Sequence, residues 1–121
     1  MATVTKTLRT LQASTSNTAG STTTGASWLD LTTKFGGVAI LKITNGGTGP
    51  TVGCDAVLEI SGDNSTPYEY SRATAGTTAS TAYTFIVEIP IGVMYLRSKF
   101  VGNTGQSVTV EAYFQEATSI A

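Results

Sequence analysis

Apolar side chains recur at every second position in two segments of this chain, and both segments are too short for stable helices. In residues 52–60 the aligned apolar positions are Cys54, Ala56, Leu58 and Ile60. In residues 83–89 they are Tyr83, Phe85, Val87 and Ile89. A period of two residues is typical of a strand with one buried face. The alternation therefore predicts an all-β protein.

Further strands are predicted where apolar and β-branched runs lie between turn-forming residues. Residues 38–44 are almost entirely apolar, as in a central strand that is covered on both faces. A short strand is predicted at 68–73, and residues 28–35 fit either a short strand or a single turn. The turn residues 102–106 (GNTGQ) predict a hairpin, the longest in the molecule. Its strands span 93–101 and 107–116, and its expected inward side chains are Met94, Leu96, Phe100, Val108, Val110, Ala112 and Phe114.

These runs amount to seven or eight strands, spaced 8 to 14 residues apart, with no convincing helix between them. This spacing predicts an antiparallel β-sandwich, of jelly-roll or immunoglobulin-like type, or a small barrel. Hairpin and Greek-key connections remain open at this point. We assign residues 26–121 to this single β-sandwich domain.

The N-terminal residues 1–25 differ in composition from the rest of the chain. Eight of the 14 residues in 12–25 are Ser or Thr, which predicts a flexible linker or a long surface loop. Residues 3–11 fit two descriptions: an edge strand of their own domain, or an arm that adds a strand to a neighbour's sheet. For the second, the candidate interface residues are Val4, Lys6, Leu8, Arg9 and Leu11.

Composition excludes several functional classes. The chain has no histidine, which removes Ser-His-Asp and Cys-His nucleophile pairs and histidine metal sites. Only 12% of residues are charged and the net charge is −1, so we expect no nucleic-acid partner. No apolar run is long enough for a membrane helix, and the N-terminal residues lack the apolar core of a signal peptide. We therefore predict a protein that is not an enzyme and needs no cofactor or metal.

The remaining candidate sites each have an ordinary structural interpretation. We expect most carboxylates to lie on outward faces of strands, without an acid–base pair among them. Residues 61–67 (SGDNSTP) fit an Asx turn better than a calcium loop. Cys54 is in phase with the buried positions and is expected to be an inert core residue. Tyr68 and Tyr70 are the best candidates for an exposed aromatic pair, either half-buried structure or an interface with a protein or a sugar.

Three stretches resemble small, Thr/Gly/Ala-rich all-β proteins of tailed-bacteriophage virions. They are WLDLTTKFGGVAILKITNGGTGPTVG (28–53), LEISGDN (58–64) and MYLRSKFVGNTGQSVTVEA (94–112). The resemblance implies a capsid decoration, or cement, protein. Such a protein would be made in the host cytoplasm, form a homotrimer and bind the major capsid protein on the virion surface. The alternatives are a virion-exposed tail or adhesion module that binds host-surface carbohydrate, and a neck or head-completion protein.

Overall fold

The computed structural model describes residues 3–120, which form nine β-strands and no helix. Residues 1, 2 and 121, the ends of the arm and of the domain predicted above, lie outside the described residues. The strands are β1 (Val4–Asn17), β2 (Thr22–Thr24), β3 (Leu29–Asp30), β4 (Gly37–Asn45), β5 (Asp55–Ser61), β6 (Tyr68–Thr74), β7 (Ala82–Ile89), β8 (Tyr95–Val101) and β9 (Val108–Ile120).

The strands form two antiparallel sheets. The first sheet has the order β1-β9-β4-β7, and the second has the order β2-β8-β5-β6, with β3 also paired to β8. The pairs are nested along the chain: β1 with β9, β2 with β8, β4 with β7, and β5 with β6. This nesting is the topology of a jelly roll, in which one long hairpin is rolled into two sheets. The prediction of an all-β sandwich is confirmed.

The core lies between the two sheets and follows the alternation of each strand. From the first sheet, β4 contributes Ala39, Leu41 and Ile43, and β9 contributes Val110, Ala112 and Phe114. From the second sheet, the buried residues Leu58, Leu96 and Phe100 face them. Tyr83, Phe85 and Val87 are only half-buried, because β7 is an edge strand.

The structure corrects the description of residues 12–25 as a flexible linker. Residues 12–17 continue β1, which pairs with β9 down to Asn17, and residues 22–24 form β2 on the edge of β8. Backbone hydrogen bonds order this segment although its side chains are short and polar. Residues 4–11 are likewise an edge strand of their own sheet, the first of the two descriptions given above.

Two buried asparagines hold the N-terminal segment in place. Asn17 Nδ2 donates to Asn103 Oδ1 at 2.6 Å and to the Ser21 carbonyl at 3.1 Å. Asn103 Nδ2 donates to the carbonyls of Asn17 at 3.1 Å and Gln106 at 2.9 Å. These bonds give the buried side-chain amides of both asparagines their hydrogen-bond partners. They join two of the crossings between the sheets, the one from β1 to β2 and the one from β8 to β9.

The predicted hairpin of 93–101 and 107–116 is wrong. β8 belongs to the second sheet and β9 to the first, so residues 102–107 cross between sheets instead of turning within one. Glycines at 102 and 105 with positive φ allow the sharp path of this crossing. β8 also begins only at Tyr95, which leaves Met94 exposed, contrary to the expected inward orientation.

Truncation tests whether β1 is part of the fold. Deletion of residues 1–11 removes Leu11 from the core margin and Arg9 from its ion pair with buried Glu116. We expect the melting temperature to fall by roughly 10 °C or more in circular dichroism.

Deletion of residues 1–5 is the control, because β1 and β9 extend there beyond the pairing with β4. That variant should melt within about 2 °C of the full chain. Equal stability of both truncations would show that β1 is a dispensable arm.

Candidate functional site

The predicted N-terminal interface residues divide between two sides of β1. Lys6 and Leu8 pair with Ala117 and Gln115 of β9 and lie on the outer face of the first sheet, where Leu8 is 62% exposed. Val4 pairs with Ile120 at the exposed end of the β1–β9 ribbon. Arg9 and Leu11 turn inward, towards the space between the sheets.

Arg9 forms an ion pair with a buried carboxylate. Its Nη1 lies 3.1 Å from Glu116 Oε1, and the Glu116 side chain is only 1% exposed. Leu11 is half-buried and packs against the core. These two residues therefore stabilise the edge of the sandwich, and the expectation that carboxylates face solvent is wrong for Glu116. Glu59 does lie on the outer face of the second sheet, but it is buried there, because Arg97 covers it and donates from Nε to Glu59 Oε1 at 2.8 Å.

Tyr68 and Tyr70 lie on β6, at the sandwich edge opposite β1. A β-bulge leaves Tyr70 without a partner on β5, because Leu58 pairs with Ser71 and Glu59 with Glu69. The Tyr70 hydroxyl donates to the Glu88 carbonyl of the other sheet at 3.3 Å, so Tyr70 bridges the two sheets. Tyr68 is 61% exposed. The structure thus does not join these tyrosines to the β1 residues in one surface.

The outer face of the first sheet presents a row of apolar side chains. Thr10, Tyr113, Ile40 and Ile86 are directly paired across β1, β9, β4 and β7, so their side chains share this face. Ile86 is 71% exposed, and Val38 and Leu8 lie in the adjacent row. We name this surface the apolar face. In the sequence, this face is indicated by Ile86, an apolar residue at an outward position of the strand between the polar residues Thr84 and Glu88.

The outer face of the second sheet has the opposite character. Arg72 pairs with Asp55 and Glu69, and the hydrogen bond from Arg72 lowers the pKa of Glu69. Arg97 pairs with Glu59 and lies over the ring of Trp28, 4.2 Å from its centroid. The charges on this face are therefore compensated within the chain.

A cleft of about 400 Å³ lies between β1 and the segment that joins β2 to β3. Its walls include Arg9, Ser27, Trp28 and Asp30. Sequence reasoning did not single out Trp28 or Asp30 as a site. They come together with Arg9 only because β1 and β3 occupy facing edges of the two sheets.

The other titratable groups form no reactive constellation in the described residues. No cluster of three His, Cys, Asp or Glu side chains that could hold a metal occurs between residues 3 and 120. Asp63 accepts from the backbone of Thr66 at 2.7 Å and of Ser65 at 3.0 Å, which confirms the Asx turn. These bonds, that from Thr66 foremost, hold the pKa of Asp63 far below its usual value. No helix among residues 3–120 could span a membrane.

Comparison with known proteins finds similarity at the level of fold alone. No protein-family model and no curated protein matches the chain. A chain in the structure of infectious bursal disease virus, Gx strain, is similar over 93% of this chain, with 18% identity and a TM-score of 0.60. A chain in the structure of the Gt strain is similar over 93% of this chain, with 15% identity and a TM-score of 0.55. This chain spans 32% of the length of either virus chain.

A third structure, a family 16 carbohydrate-binding module, is similar over 88% of this chain and 74% of its own, with 11% identity. Its TM-score of 0.45 is too low to support an argument about fold or function.

Cys54 is expected to be unreactive in the native protein. Burial, followed by the charge of Asp55, raises its pKa to about 11. At pH 8 a thiol reagent should therefore modify the native protein at least ~100-fold more slowly than the protein in urea. The folded thiol keeps its proton above its ordinary pKa of 9.0, so stability should fall as pH rises from 9.0 to about 11. In a Cys54→Ala variant, this part of the decrease of stability with pH should be absent. Rapid modification of the native protein by the thiol reagent would contradict the description of Cys54 as a buried, unreactive thiol.

Proposed function

We propose that this protein is a non-enzymatic structural component of a bacteriophage virion, attached to the capsid exterior and stabilising it through protein–protein contacts. Jelly rolls are a recurrent fold of viral capsid domains, and two virus chains that are similar to this one share this fold. The resemblance of residues 28–53, 58–64 and 94–112 to virion proteins supports the same conclusion. The buried carboxylates of Glu59 and Glu116 are paired with arginines, which suits structure better than catalysis.

The apolar face is the observation on which this proposal rests. An outer sheet face of a monomer is ordinarily polar, because alternation places apolar side chains inward. Here Ile40, Ile86 and Tyr113 lie side by side, and the row beside them holds Leu8 and Val38 with Gln115 between them. Ile86 and Leu8 are exposed, and the other three are half-buried. An exposed cluster of apolar side chains with a polar rim marks an interaction site.

The charge around the apolar face favours a protein surface as its occupant. Lys42 is paired in register with Glu111, and Lys6 and Glu88 lie at the ends of the face. Two positive and two negative side chains therefore border it. Such a balanced rim offers no attraction to phosphate-rich surfaces, which bind clustered Lys and Arg. We assign this face to the major capsid protein. We also propose a homotrimer, since closed symmetry is the usual form of soluble oligomers.

Substitution of Ile86 tests the assigned face. Ile86→Ser removes the most exposed aliphatic side chain of the apolar face and is expected to weaken capsid binding about tenfold or more. Its melting temperature should stay within about 2 °C, because the side chain is not in the core. The measurement is co-sedimentation with capsids that lack the protein.

The matched control is Ile91→Ser. Ile91 is 64% exposed, but it lies in the turn between β7 and β8 and outside the apolar rows. This variant should bind capsids like the unaltered protein. Equal loss in both variants, or in neither, would overturn the assignment. Sedimentation velocity tests the trimer separately, since it distinguishes a 12.5 kDa monomer from a species three times as heavy.

A further inference from the structure

The cleft beside β1 is produced by an interruption in the edge of the second sheet. Thr24, the last residue of β2, pairs with Lys99, and Leu29, the first of β3, pairs with Leu96. The intervening residues leave the sheet after Gly25, whose N–H still donates to Ser98 O at 2.9 Å. A Cβ at Gly25 would lie 3.0 Å from Leu11 O, so glycine permits the close approach of β1 at this end of the cleft.

The cleft walls offer hydrogen-bonding groups of both kinds. Arg9 uses Nη1 for Glu116, and its remaining N–H groups have no hydrogen-bond partner within residues 3–120. Asp30 Oδ1 accepts from Thr32 Oγ1 at 2.7 Å and from Thr32 N at 2.9 Å. These two bonds lower the pKa of Asp30 and leave Oδ2 available as an acceptor. The hydroxyl of Ser27 adds a group that can donate and accept.

The third element of the cleft is the indole of Trp28, the only tryptophan in the chain. Arg97 lies over the ring and fixes its orientation. Leu11 and Leu29 add aliphatic surface beside it. The cleft therefore combines an aromatic side chain, over which a cation lies, with a few polar groups among its lining residues, a composition typical of small-molecule sites.

We propose that this cleft binds a neutral oligosaccharide. A pyranose has an apolar C–H face that suits an indole, and its rim of hydroxyls can donate to Asp30 while accepting from Arg9. An anionic ligand would meet the carboxylate of Asp30, and a cationic one the guanidinium of Arg9. A volume of about 400 Å³ is within the range of ligand pockets. The site is separate from the apolar face and does not depend on the proposed capsid contact.

The single tryptophan allows a direct test. Purified full-length protein is titrated with trisaccharides of glucose, mannose, galactose and N-acetylglucosamine, with indole fluorescence as the readout. At least one is expected to give a saturable shift of the emission, because Trp28 lines the cleft. Inorganic phosphate is titrated in parallel. No response to any of the four sugars up to ~10 mM, or a response to phosphate alone, overturns the proposal.

Variants then locate the binding. Asp30→Ala should lower the affinity for the responding sugar at least tenfold, because it removes the carboxylate acceptor. Trp28→Ala should lower it by a similar factor, measured by calorimetry because this variant lacks the fluorescent indole. Ile86→Ser, which alters the apolar face, should bind the sugar unchanged. Circular dichroism melts confirm that each variant is folded. Sugar binding that survives in folded Asp30→Ala and Trp28→Ala places the site elsewhere and overturns the proposal. Loss of capsid binding in Ile86→Ser with sugar binding intact separates this result from the proposed function.

Discussion

The contact between Asn17 and Asn103 is the constraint on which the sandwich depends. Residues 18–21 take the chain from β1 in the first sheet to β2 in the second, and residues 102–107 take it from β8 in the second sheet to β9 in the first. Both asparagines are fully buried, and their amides bond to each other and to the carbonyls of Asn17, Ser21 and Gln106. Buried polar groups without partners are costly, so these contacts favour the arrangement in which both crossings lie side by side. The pairing of β1 with β9 follows from that arrangement.

The two outer faces of the sandwich differ in the side chains that they present to solvent. The second sheet covers its outer side chains with ion pairs, and even Glu59 and Val57 are buried there. The first sheet leaves the apolar side chains of Ile86 and Leu8 open to solvent. This asymmetry between the two faces is the feature on which the proposed capsid contact rests.

The edges of the sandwich differ as well, and this difference locates the cleft. At the β6–β7 edge Tyr70 links the two sheets directly. At the opposite edge β1 extends along the sandwich, while β2 and β3 leave a gap after Gly25. Arg9 and Asp30 border that gap from different sheets. A surface on the apolar face and a cleft at this edge could be occupied at the same time.

The sequence alone determined the fold class, the strands from β4 to β9 to within a few residues, and the buried place of Cys54, because a period of two residues reports burial locally. It did not determine which sheet each strand joins: the predicted hairpin of β8 and β9 is a crossing between sheets. Nor did it show that the Ser- and Thr-rich residues 12–17 are ordered, since backbone pairing with β9 and burial of Asn17 leave no pattern of side chains. The cleft could not be predicted from the sequence either, because only the tertiary structure brings Arg9 and Trp28 together. Pairing partners distant in the chain decide these features, and local periodicity carries no information about them.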